Sequence, residues 1–462
     1  MPHITPPELL HPCPRLIQIP RAFLSVDGLR SSPFEPLLSH ALGTPVFAPR
    51  TTPWPLVALF TAGYLAPYLL PTVVGRLDSG LPLSPTQAGA VGSALLLSSA
   101  SAGFLLASRV ERFGARRLAR IGLLLAVVGY GGASLAHAVS AVVVGVLVGG
   151  FGSGTATAVA ATGIAALRDP HRATTVGLLG VSALAGAVYL TVPHLGPGHG
   201  QPLAAIALTA LAVWPLTARL TSSGALRPQT RAAATRLPHL RHGLALAACM
   251  LCWSLAQNSL WGVSGRIGLT QAQLTETTVG AVFAVGLGAG LLGVTGAGAL
   301  GPRLGRALPI GAGTALIAAC IALSASATDL TTFATGEIAW NTLYPIVLSY
   351  VIGLAASLDA RGRWAVLVGS ASSLGTAAGP LTGSVLSAQA GFPVMGAVLA
   401  VGLLVIAVPM TVVALGRRSQ KTFEVAEGVE VTEGIEAVEV VEIPLDTAEA
   451  TPAAPDRLTA AT

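Results

Sequence analysis

Hydrophobic runs of about 20 residues recur along most of the chain, separated by short polar segments. The approximate boundaries of predicted spans 1 to 12 are 53–75, 87–108, 117–137, 139–165, 174–193, 202–220, 243–262, 277–299, 308–327, 330–354, 364–387 and 393–415. A helix of about 20 residues covers the roughly 30 Å hydrocarbon core of a bilayer. Backbone polar groups in lipid need partners within their own segment. The pattern therefore predicts an all-α integral membrane protein with twelve transmembrane helices.

The composition agrees with a bilayer environment. Of the 462 residues, 52% are hydrophobic and only 10% are charged. Soluble globular proteins carry roughly 25% charged residues, so this chain cannot cover a water-facing surface of normal polarity. The net charge of +6 resides in segments outside the spans, with no basic stripe of interleaved aromatic residues. We therefore expect contact with lipid headgroups and no binding of nucleic acid.

The positions of the arginines and lysines predict the direction of the spans. If the N-terminus is cytoplasmic, all 26 basic residues except Arg76 and Arg266 fall in cytoplasmic segments. Cytoplasmic loops are enriched in basic residues, and a bias this large rarely arises by accident. We therefore expect a multi-pass protein of the cell inner (plasma) membrane with both termini in the cytoplasm. A missed span would scramble the alternation, so the bias also indicates an even number of spans.

The chain divides into five predicted regions. Residues 1–52 are rich in proline and lack the apolar segment of a signal peptide, which predicts a disordered cytoplasmic arm. The other regions are an N-terminal six-helix half (53–220), a basic cytoplasmic linker (221–242), a C-terminal six-helix half (243–416) and an acidic, disordered cytoplasmic tail (417–462). In the tail, glutamate recurs every third residue from Glu424 to Glu442, a period that suits neither a helix face nor a strand face.

A polar segment between predicted spans 2 and 3 recurs about half a chain later. It reads ASRVERFGARRLAR at 107–120, and the segment between spans 8 and 9 reads GALGPRLGR at 298–306. The corresponding residues are Arg112, Gly114, Arg116 and Arg117 in the first segment, and Arg303, Gly305 and Arg306 in the second. Two similar six-span units in parallel orientation are one of the known transporter plans.

The first segment resembles the signature loop of the major facilitator superfamily, G-x-x-x-[DE]-R-x-G-x-[RK]-[RK]. Ala107 replaces the leading glycine, and Glu111 and the residues that follow fit every other position of the motif. The twelve spans, the two halves and the basic linker match the same family. The resemblance covers residues 53–416 and implies that family's fold, two six-helix halves around a central cavity.

In that family the loop cluster latches the two halves together on the cytoplasmic side. The resemblance implies this role for Glu111, Arg112, Gly114, Arg116 and Arg117, and for Arg303, Gly305 and Arg306 in the second copy. We expect Gly114 to allow a tight turn between helices, and Glu111 to pair with an arginine or a helix N-terminus. The alternative is that these arginines only fix the topology.

Two features of proton-driven exporters in the family are missing. Val146 stands where an arginine of span 4 would align, and the segment 177–186 of span 5 lacks the proline of the exporter pattern. The sequence motifs therefore do not establish that the protein is an exporter. The glycines of predicted span 4 indicate close helix contacts instead; they are Gly145, Gly149, Gly150, Gly152 and Gly154.

Glu337 is the only carboxylate that lies well within the predicted hydrocarbon depth. An ionised acid at a helix centre costs about 2.5–3.5 kcal/mol on insertion scales. Protonating a glutamate at pH 7 costs about 3.7 kcal/mol. Because the two penalties are similar, we predict that Glu337 is the proton-coupling residue, poised between charged and neutral forms. The alternative is a neutral acid bonded to a backbone carbonyl.

Aromatic and amide side chains predict a substrate cavity beside this acid. Glu337, Asn341 and Tyr344 share one helical face, and the resemblance implies that spans 1, 4, 7 and 10 line the cavity. The predicted lining residues are Tyr64, Tyr68, Trp253, Gln257, Asn258, Trp261, Trp340, Asn341 and Tyr344. Helix packing is the alternative for single members of this set. Such a cavity suits a moderately apolar organic molecule that is cationic or carries a hydrogen-bond donor.

These features predict a secondary active transporter that moves a small organic solute by alternating access, coupled to protons, as a monomer in the lipid bilayer. The aromatic cavity and the lack of several buried charges, which a sugar or phosphate site would need, favour efflux. An uptake permease of the same fold is one alternative. A transporter-like membrane sensor that signals through its acidic tail is another.

An enzyme or an ATP-driven pump would need groups of residues that the sequence lacks. His137, His194 and His199 occur without an H-E-x-x-H pattern or paired acids, and there is no P-loop. Cys249 and Cys252 form a C-x-x-C in an apolar stretch with no second pair, which is typical of small residues packed in a helix. We therefore predict no enzymatic activity, no metal and no cofactor.

Overall fold

The computed structural model describes residues 53–220, 237–300, 305–359 and 361–436. The predictions for the arm (1–52), Arg303, linker residues 221–236 and tail residues 437–462 lie outside this part of the chain. The last helix runs to Glu436, through the first part of the predicted tail. That stretch contains no proline, so no residue in it obliges the helix to end.

The described chain is built from long α-helices, which follow the predicted spans. The first six are Trp54–Tyr68 with Leu70–Gly80 (span 1), Pro85–Leu106 (span 2), Ala115–Leu135 (span 3), Val139–Ala165 (span 4), Pro170–Thr191 (span 5) and Gly200–Val213 (span 6). The others are Leu240–Arg266 (span 7), Glu276–Leu300 (span 8), Ala307–Ala325 (span 9), Leu330–Ser357 (span 10) and the run Arg363–Glu436. Short 3-10, α or π turns extend several ends, at Ala107–Arg109, Val110–Phe113, Val192–Leu195, Trp214–Arg219 and Ile267–Gln271.

The count of spans depends on two interrupted helices. Ten helices in the described part are long and apolar enough to cross a bilayer, and the bent pair of span 1 makes eleven. The apolar part of the last run, Arg363–Gly416, has 54 residues, about twice what one crossing needs. It is broken at Gly391, whose φ of 80° and ψ of 164° are not helical. Its two parts, 363–390 (span 11) and 392–416 (span 12), bring the count into agreement with the twelve that the sequence predicts.

Two prolines bend span 1. Its two helices meet at 48°, with Pro67 near the end of the first and Pro71 near the start of the second. Pro71 has no N–H to donate to the carbonyl of Pro67 four residues earlier. The Trp261 Nε1–H from span 7 donates to that carbonyl instead, at 3.1 Å. A side chain of the opposite half therefore satisfies the backbone at the bend, as membrane helices require.

The glycines of span 4 hold the N-terminal half tightly together. A Cβ atom added at any of the five would lie 2.0 to 2.7 Å from an atom of span 2 or span 3. The tightest case is Gly154, against the backbone carbonyl oxygen of Ser99 at 2.0 Å. The prediction of close helix contacts is confirmed, because only a residue without Cβ lets these backbones approach so closely.

Candidate functional site

A cavity of about 940 Å³ lies between the two halves. Residues of spans 1, 2, 4 and 5 form one wall, and residues of spans 7, 8, 10 and 11 form the other. Its lining reaches Ala107 after span 2, His171 at the start of span 5 and Val366 at the start of span 11. These positions adjoin the arginine-rich loops, so the cavity opens at that end, which we call the arginine-rich end. The other is the opposite end.

Seven of the nine predicted lining residues line this cavity. They are Tyr64, Tyr68, Asn258, Trp261, Trp340, Asn341 and Tyr344. The Trp261 and Trp340 rings, with centroids 5.5 Å apart, lie at the inner limit of the cavity, and we call them the tryptophan floor. The structure therefore brings together aromatic rings and amides from spans 1, 7 and 10, as the sequence predicts.

Trp253 and Gln257 do not line the cavity, which corrects the prediction. Both are fully buried. The Trp253 ring stacks on Tyr344 with centroids 5.1 Å apart, and the Gln257 Oε1 accepts a hydrogen bond from the Trp340 Nε1–H. Residues spaced four apart turn by roughly 40° around a helix of 3.6 residues per turn. Trp261 therefore faces the cavity, while these two support its wall from behind.

Hydroxyl groups, which are not among the predicted lining residues, also line the cavity. They come from spans 2, 4, 5, 10 and 11 and belong to Ser99, Thr157, Thr162, Thr174, Thr175, Ser182, Ser349, Ser370, Ser372, Ser373 and Thr376. The run GSASS at 369–373 carries a visible signal, because three serines stand within one apolar span. The resemblance implies a cavity lined by spans 1, 4, 7 and 10, whereas these serines belong to span 11.

No Asp, Glu, Lys or Arg side chain lines the cavity within the described residues, and His171 stands at its mouth. A charged molecule enclosed here would lose its hydration without gaining a counter-ion. Serine, threonine and amide groups supply the polar contacts instead. The wall therefore suits molecules that form hydrogen bonds without a net charge.

Glu337 lies behind the tryptophan floor and does not line the cavity. It is fully buried, and its Oε1 accepts hydrogen bonds from the Ser264 hydroxyl at 2.7 Å and the Ser324 hydroxyl at 2.6 Å. Its Oε2 has no hydrogen-bond partner within the described chain. The shared helical face is correct, since Asn341 and Tyr344 do line the cavity. The cavity ends at Trp340, before the turn of helix that carries Glu337. Glu337 therefore lies farther from the cavity than the sequence predicts.

Close helix crossing holds the two serines against this carboxylate. A Cβ atom at Gly336 would lie 2.8 Å from the backbone nitrogen of Ser324, so spans 9 and 10 touch beside Glu337. On the side away from the cavity, Phe333 stands one turn earlier and packs against Phe283 at 6.2 Å between centroids. Glu337 is therefore enclosed by the C-terminal half, with aromatic rings toward both ends.

An ion pair joins the two halves at the opposite end. The Arg76 Nη2 lies 2.6 Å from Glu276 Oε2, and the Arg76 side chain is 6% exposed. Arg76 also donates to the backbone oxygens of Gly196 at 2.8 Å and Gly198 at 3.4 Å in its own half. Its guanidinium is therefore fixed to the N-terminal half and reaches across to the first residue of span 8.

Tight backbone packing accompanies this pair. A Cβ atom at Gly280 would lie 2.3 Å from the carbonyl oxygen of Tyr189, and one at Gly89 would lie 2.2 Å from the Ser384 hydroxyl. Both contacts join the two halves. Together with the ion pair they form what we call the closed seam, which seals the opposite end in this conformation.

Arg266 also lies buried at the opposite end. Its Nη2 donates to the hydroxyls of Ser384 at 3.3 Å and Ser387 at 3.2 Å, and the guanidinium lies 5.7 Å from the centroid of the Phe392 ring. Arg76 and Arg266 are the two basic residues that break the predicted charge bias. Each stands near the end of the first span of its half, which is the signal that could have marked them as functional.

The predicted latch residues form the expected tight turns, but their charged side chains form no ion pairs within the described part of the chain. Gly114 and Gly305 both have positive φ, 83° and 65°, which confirms the predicted tight turn and extends it to the second copy. Among the described residues, Glu111 and the basic side chains of both segments form no ion pair. Four of the latch side chains are exposed: Glu111, Arg112, Arg116 and Arg117. The halves are apart at this end, so the latch is not assembled here.

Comparisons with known proteins agree with this architecture. The family model described as Major Facilitator Superfamily matches residues 47–358, and no curated protein matches the chain. The crystal structure of the human organic anion transporter MFSD10 (TETRAN) aligns with a TM-score of 0.58 at 15% identity, over 78% of this chain and 98% of that one. A mutant of the nucleoside transporter NupG aligns with a TM-score of 0.62 at 12% identity, over 79% and 100%. At these identities the structures show a shared fold.

Proposed function

Because the chain belongs to the Major Facilitator Superfamily, we propose that it carries a small organic solute across the cell inner membrane by alternating access. It is a multi-pass membrane transporter and not an enzyme. The observation that carries the proposal is the cavity of about 940 Å³, open at the arginine-rich end and sealed at the opposite end. Rocking of the two halves would seal the arginine-rich end and expose the cargo at the opposite end.

The arginine-rich end faces the cytoplasm in this proposal, with both termini on that side. The positive-inside rule supports this orientation. Arg76 and Arg266, the two exceptions, are buried in contacts with other parts of the protein. Arg76 serves the seal, and Arg266 binds serines of its own half, so neither need be counted as an exposed loop charge. The conformation described here is then the inward-open one.

The composition of the cavity limits the class of molecule that the protein can carry. One structural neighbour is named for organic anions and the other for nucleosides. No arginine or lysine of the described residues lines the cavity, so an anion would find no cationic partner there. The wall supports a carrier of molecules like the second kind, uncharged and rich in hydrogen-bonding groups.

Coupling to protons through Glu337 is the second part of the proposal. The carboxylate is fully buried and one of its oxygens has no partner in the described chain. An ionised carboxylate in such a place is costly, and a proton on Oε2 removes the charge. The tryptophan floor separates Glu337 from the inward-open cavity. We therefore assign proton uptake from outside to the outward-open conformation. The proton is released to the cytoplasm during the return from outward-open to inward-open, when the floor rearranges.

This separation of proton and cargo favours efflux. In the inward-open conformation the cavity can take cargo from the cytoplasm, while Glu337 does not exchange with that compartment. A proton entering from outside and a cargo leaving from inside would then use different conformations, as an antiporter requires. Uptake of cargo together with a proton is one alternative. A membrane sensor that signals through its acidic tail is the other alternative.

The test begins with finding the cargo. Metabolites are compared in cytoplasm and medium for cells with the wild-type protein, with Glu337→Gln and with no protein. We expect at least one uncharged organic solute to move from cytoplasm to medium in wild-type cells only. If no solute changes compartment, the carrier proposal is contradicted.

Proteoliposomes then test the coupling. With the solute identified, a pH gradient should drive its accumulation by the wild-type protein. Glu337→Gln should abolish the response to the gradient while keeping exchange of labelled for unlabelled solute, because the cavity is unchanged. Transport that is indifferent to collapse of the gradient would remove the proton claim and leave the carrier.

A further inference from the structure

We infer that the cargo is an uncharged, planar molecule that carries N–H or O–H donors; this inference rests on the proposed function and narrows it. Two amides and two indoles at the inner part of the cavity determine this class. Their hydrogen bonds to the protein decide which of their atoms remain free for a ligand.

The orientation of both amides is fixed by the backbone. The Asn258 Nδ2 donates to the carbonyl oxygen of Ser254 at 2.9 Å, and the Asn341 Nδ2 donates to that of Glu337 at 2.9 Å. A carbonyl oxygen can only accept, so the NH₂ group of each amide must point to it. The two Oδ1 atoms accept no hydrogen bond within the described chain. Both residues line the cavity, which therefore holds two free acceptors.

The tryptophan floor offers ring surface without free donors. The Trp261 Nε1–H donates to the carbonyl of Pro67 at 3.1 Å, and the Trp340 Nε1–H donates to Gln257. The Tyr344 ring lies beside Trp340, with centroids 5.9 Å apart. Aromatic faces of this kind hold planar molecules by stacking. A cargo that matches the floor is flat and brings its own donors for Asn258 and Asn341.

Charged molecules of the same shape are disfavoured by closure. During transport the cavity must close around the cargo and exclude water. A cation would have the ring faces and the amide oxygens but no carboxylate among the described lining residues. An anion would meet two acceptor oxygens and no cation. A neutral molecule without donors would leave both acceptors unpaired, which carries its own penalty.

Four derivatives of one flat ring system, naphthalene, test the inference. They are 2-naphthamide (neutral, two N–H donors), N,N-dimethyl-2-naphthamide (neutral, no donor), 2-naphthoate (anion) and 2-naphthamidine (cation at pH 7). Binding to the purified full-length protein is measured by titration calorimetry. We expect 2-naphthamide to bind at least tenfold more tightly than each of the others, about 1.4 kcal/mol.

Asparagine-to-aspartate variants give a reciprocal test. Asn341→Asp keeps the side-chain shape and adds a carboxylate, and we expect it to bind 2-naphthamidine at least tenfold more tightly than wild type does. Asn258→Asp should act in the same direction. Gln87→Glu is the matched control, because it makes the same chemical change at an exposed capping position outside the cavity. It should leave all four affinities unchanged.

Tighter binding of either ion by the wild-type protein would overturn the inference, as would equal binding of the dimethyl amide or binding of none of the four. These outcomes are separate from the carrier proposal, because binding is measured without transport. If the metabolite comparison yields a charged solute that the protein moves, the carrier stands and the cargo class is wrong.

Discussion

The two ends of the transporter use charge in opposite ways. At the arginine-rich end the latch residues are exposed, and Glu111 has no ion pair within the described chain. At the opposite end charges are few, yet Arg76 is buried and reaches across the halves to Glu276 at 2.6 Å. The number of charges at an end orients the protein in the bilayer, whereas their burial between the halves marks the end that is sealed.

Backbone packing shows the same contrast along a single helix. In span 8, Gly280 leaves no room for a side chain against Tyr189 of the other half, whereas Leu287, Gly290 and Val294, nearer the arginine-rich end, line the open cavity. The halves therefore touch at one end of this helix and diverge toward the other.

The largest effect is expected from Gly280→Val. Its Cβ would lie 2.3 Å from a backbone oxygen, which cannot swing aside as a flexible side chain can, so the closed seam must open. A reporter cysteine at Thr72, beside a small cavity of about 90 Å³ at the seam, is placed in a protein without its four native cysteines. We expect a membrane-impermeant maleimide added outside to react at least tenfold faster than in the parent, since about 1.4 kcal/mol of destabilised seam suffices.

Gly288→Val is the control for this change. It adds the same side chain to the same helix, where nothing stands within 4 Å. The reaction rate should match that of the parent, and size-exclusion profiles should show that both variants are folded. Equal rates in both variants would show that Gly280 does not hold the seam.

A smaller opening is expected from Glu276→Gln. The pair is charge-assisted, but the Glu276 side chain is 43% exposed, so screening leaves a contribution of about 1 kcal/mol. We expect the Thr72 cysteine to react roughly fivefold faster, and the difference from the parent to shrink in 1 M salt.

Asp329→Asn is the matched change outside the seam. Asp329 is an acid at the same end, but it caps its own helix by accepting from Thr332 at 3.0 Å, and asparagine caps a helix equally well. If the Thr72 cysteine reacts as fast in this variant as in Glu276→Gln, loss of any acid at this end opens the seam. That result would contradict a specific role of the ion pair.

Glu111→Gln tests the arginine-rich end. Because this side chain is exposed and forms no ion pair in the described part of this conformation, the melting temperature should not change. If the latch forms when this end closes, the exchange rate of the cargo should fall by roughly twofold, the modest effect of one exposed pair. A lower melting temperature with an unchanged exchange rate would argue for a structural role only.

The smallest effect is expected at Asp359, in the loop between spans 10 and 11. The Arg363 Nε–H donates to its Oδ2 at 2.6 Å and holds the pKa of this carboxyl below its usual range. A lowered pKa stabilises the folded protein at pH values above about 4, and the gain is lost as the pH falls through the folded-state value. Asp359→Asn should slightly lower the melting temperature at pH 7, and the difference from the wild-type protein should shrink as the pH is lowered below about 4.

Local pattern predicted the helices and much of the cavity. Hydropathy located the spans, and the glycines of span 4 predicted close contacts that the structure confirms. Asn258, Trp261 and Trp340 line the cavity as expected. These features depend on one helix, or on which face of it is polar, and such information is contained in a short stretch of sequence.

The errors concern relations between distant segments. Trp253 and Gln257 were misplaced because helical rotation decides which residues of a polar stripe meet the cavity. Glu337 was placed beside the cavity because its helical face is right, but the depth of a cavity depends on which end is sealed. Arg76 and Glu276 are 200 positions apart, so their contact could not be read from either segment alone.

Distances across the two ends of the protein test whether one cavity opens alternately to either side of the membrane. Spin labels are placed at Ser79 and Thr277 across the closed seam, and separately at His171 and Val366 across the cavity mouth, in the reconstituted full-length protein. Electron–electron double resonance should give two populations, in which a longer distance at the seam accompanies a shorter distance at the mouth as the outside pH is lowered. A mouth distance that never shortens, or ends that lengthen together, would contradict the account.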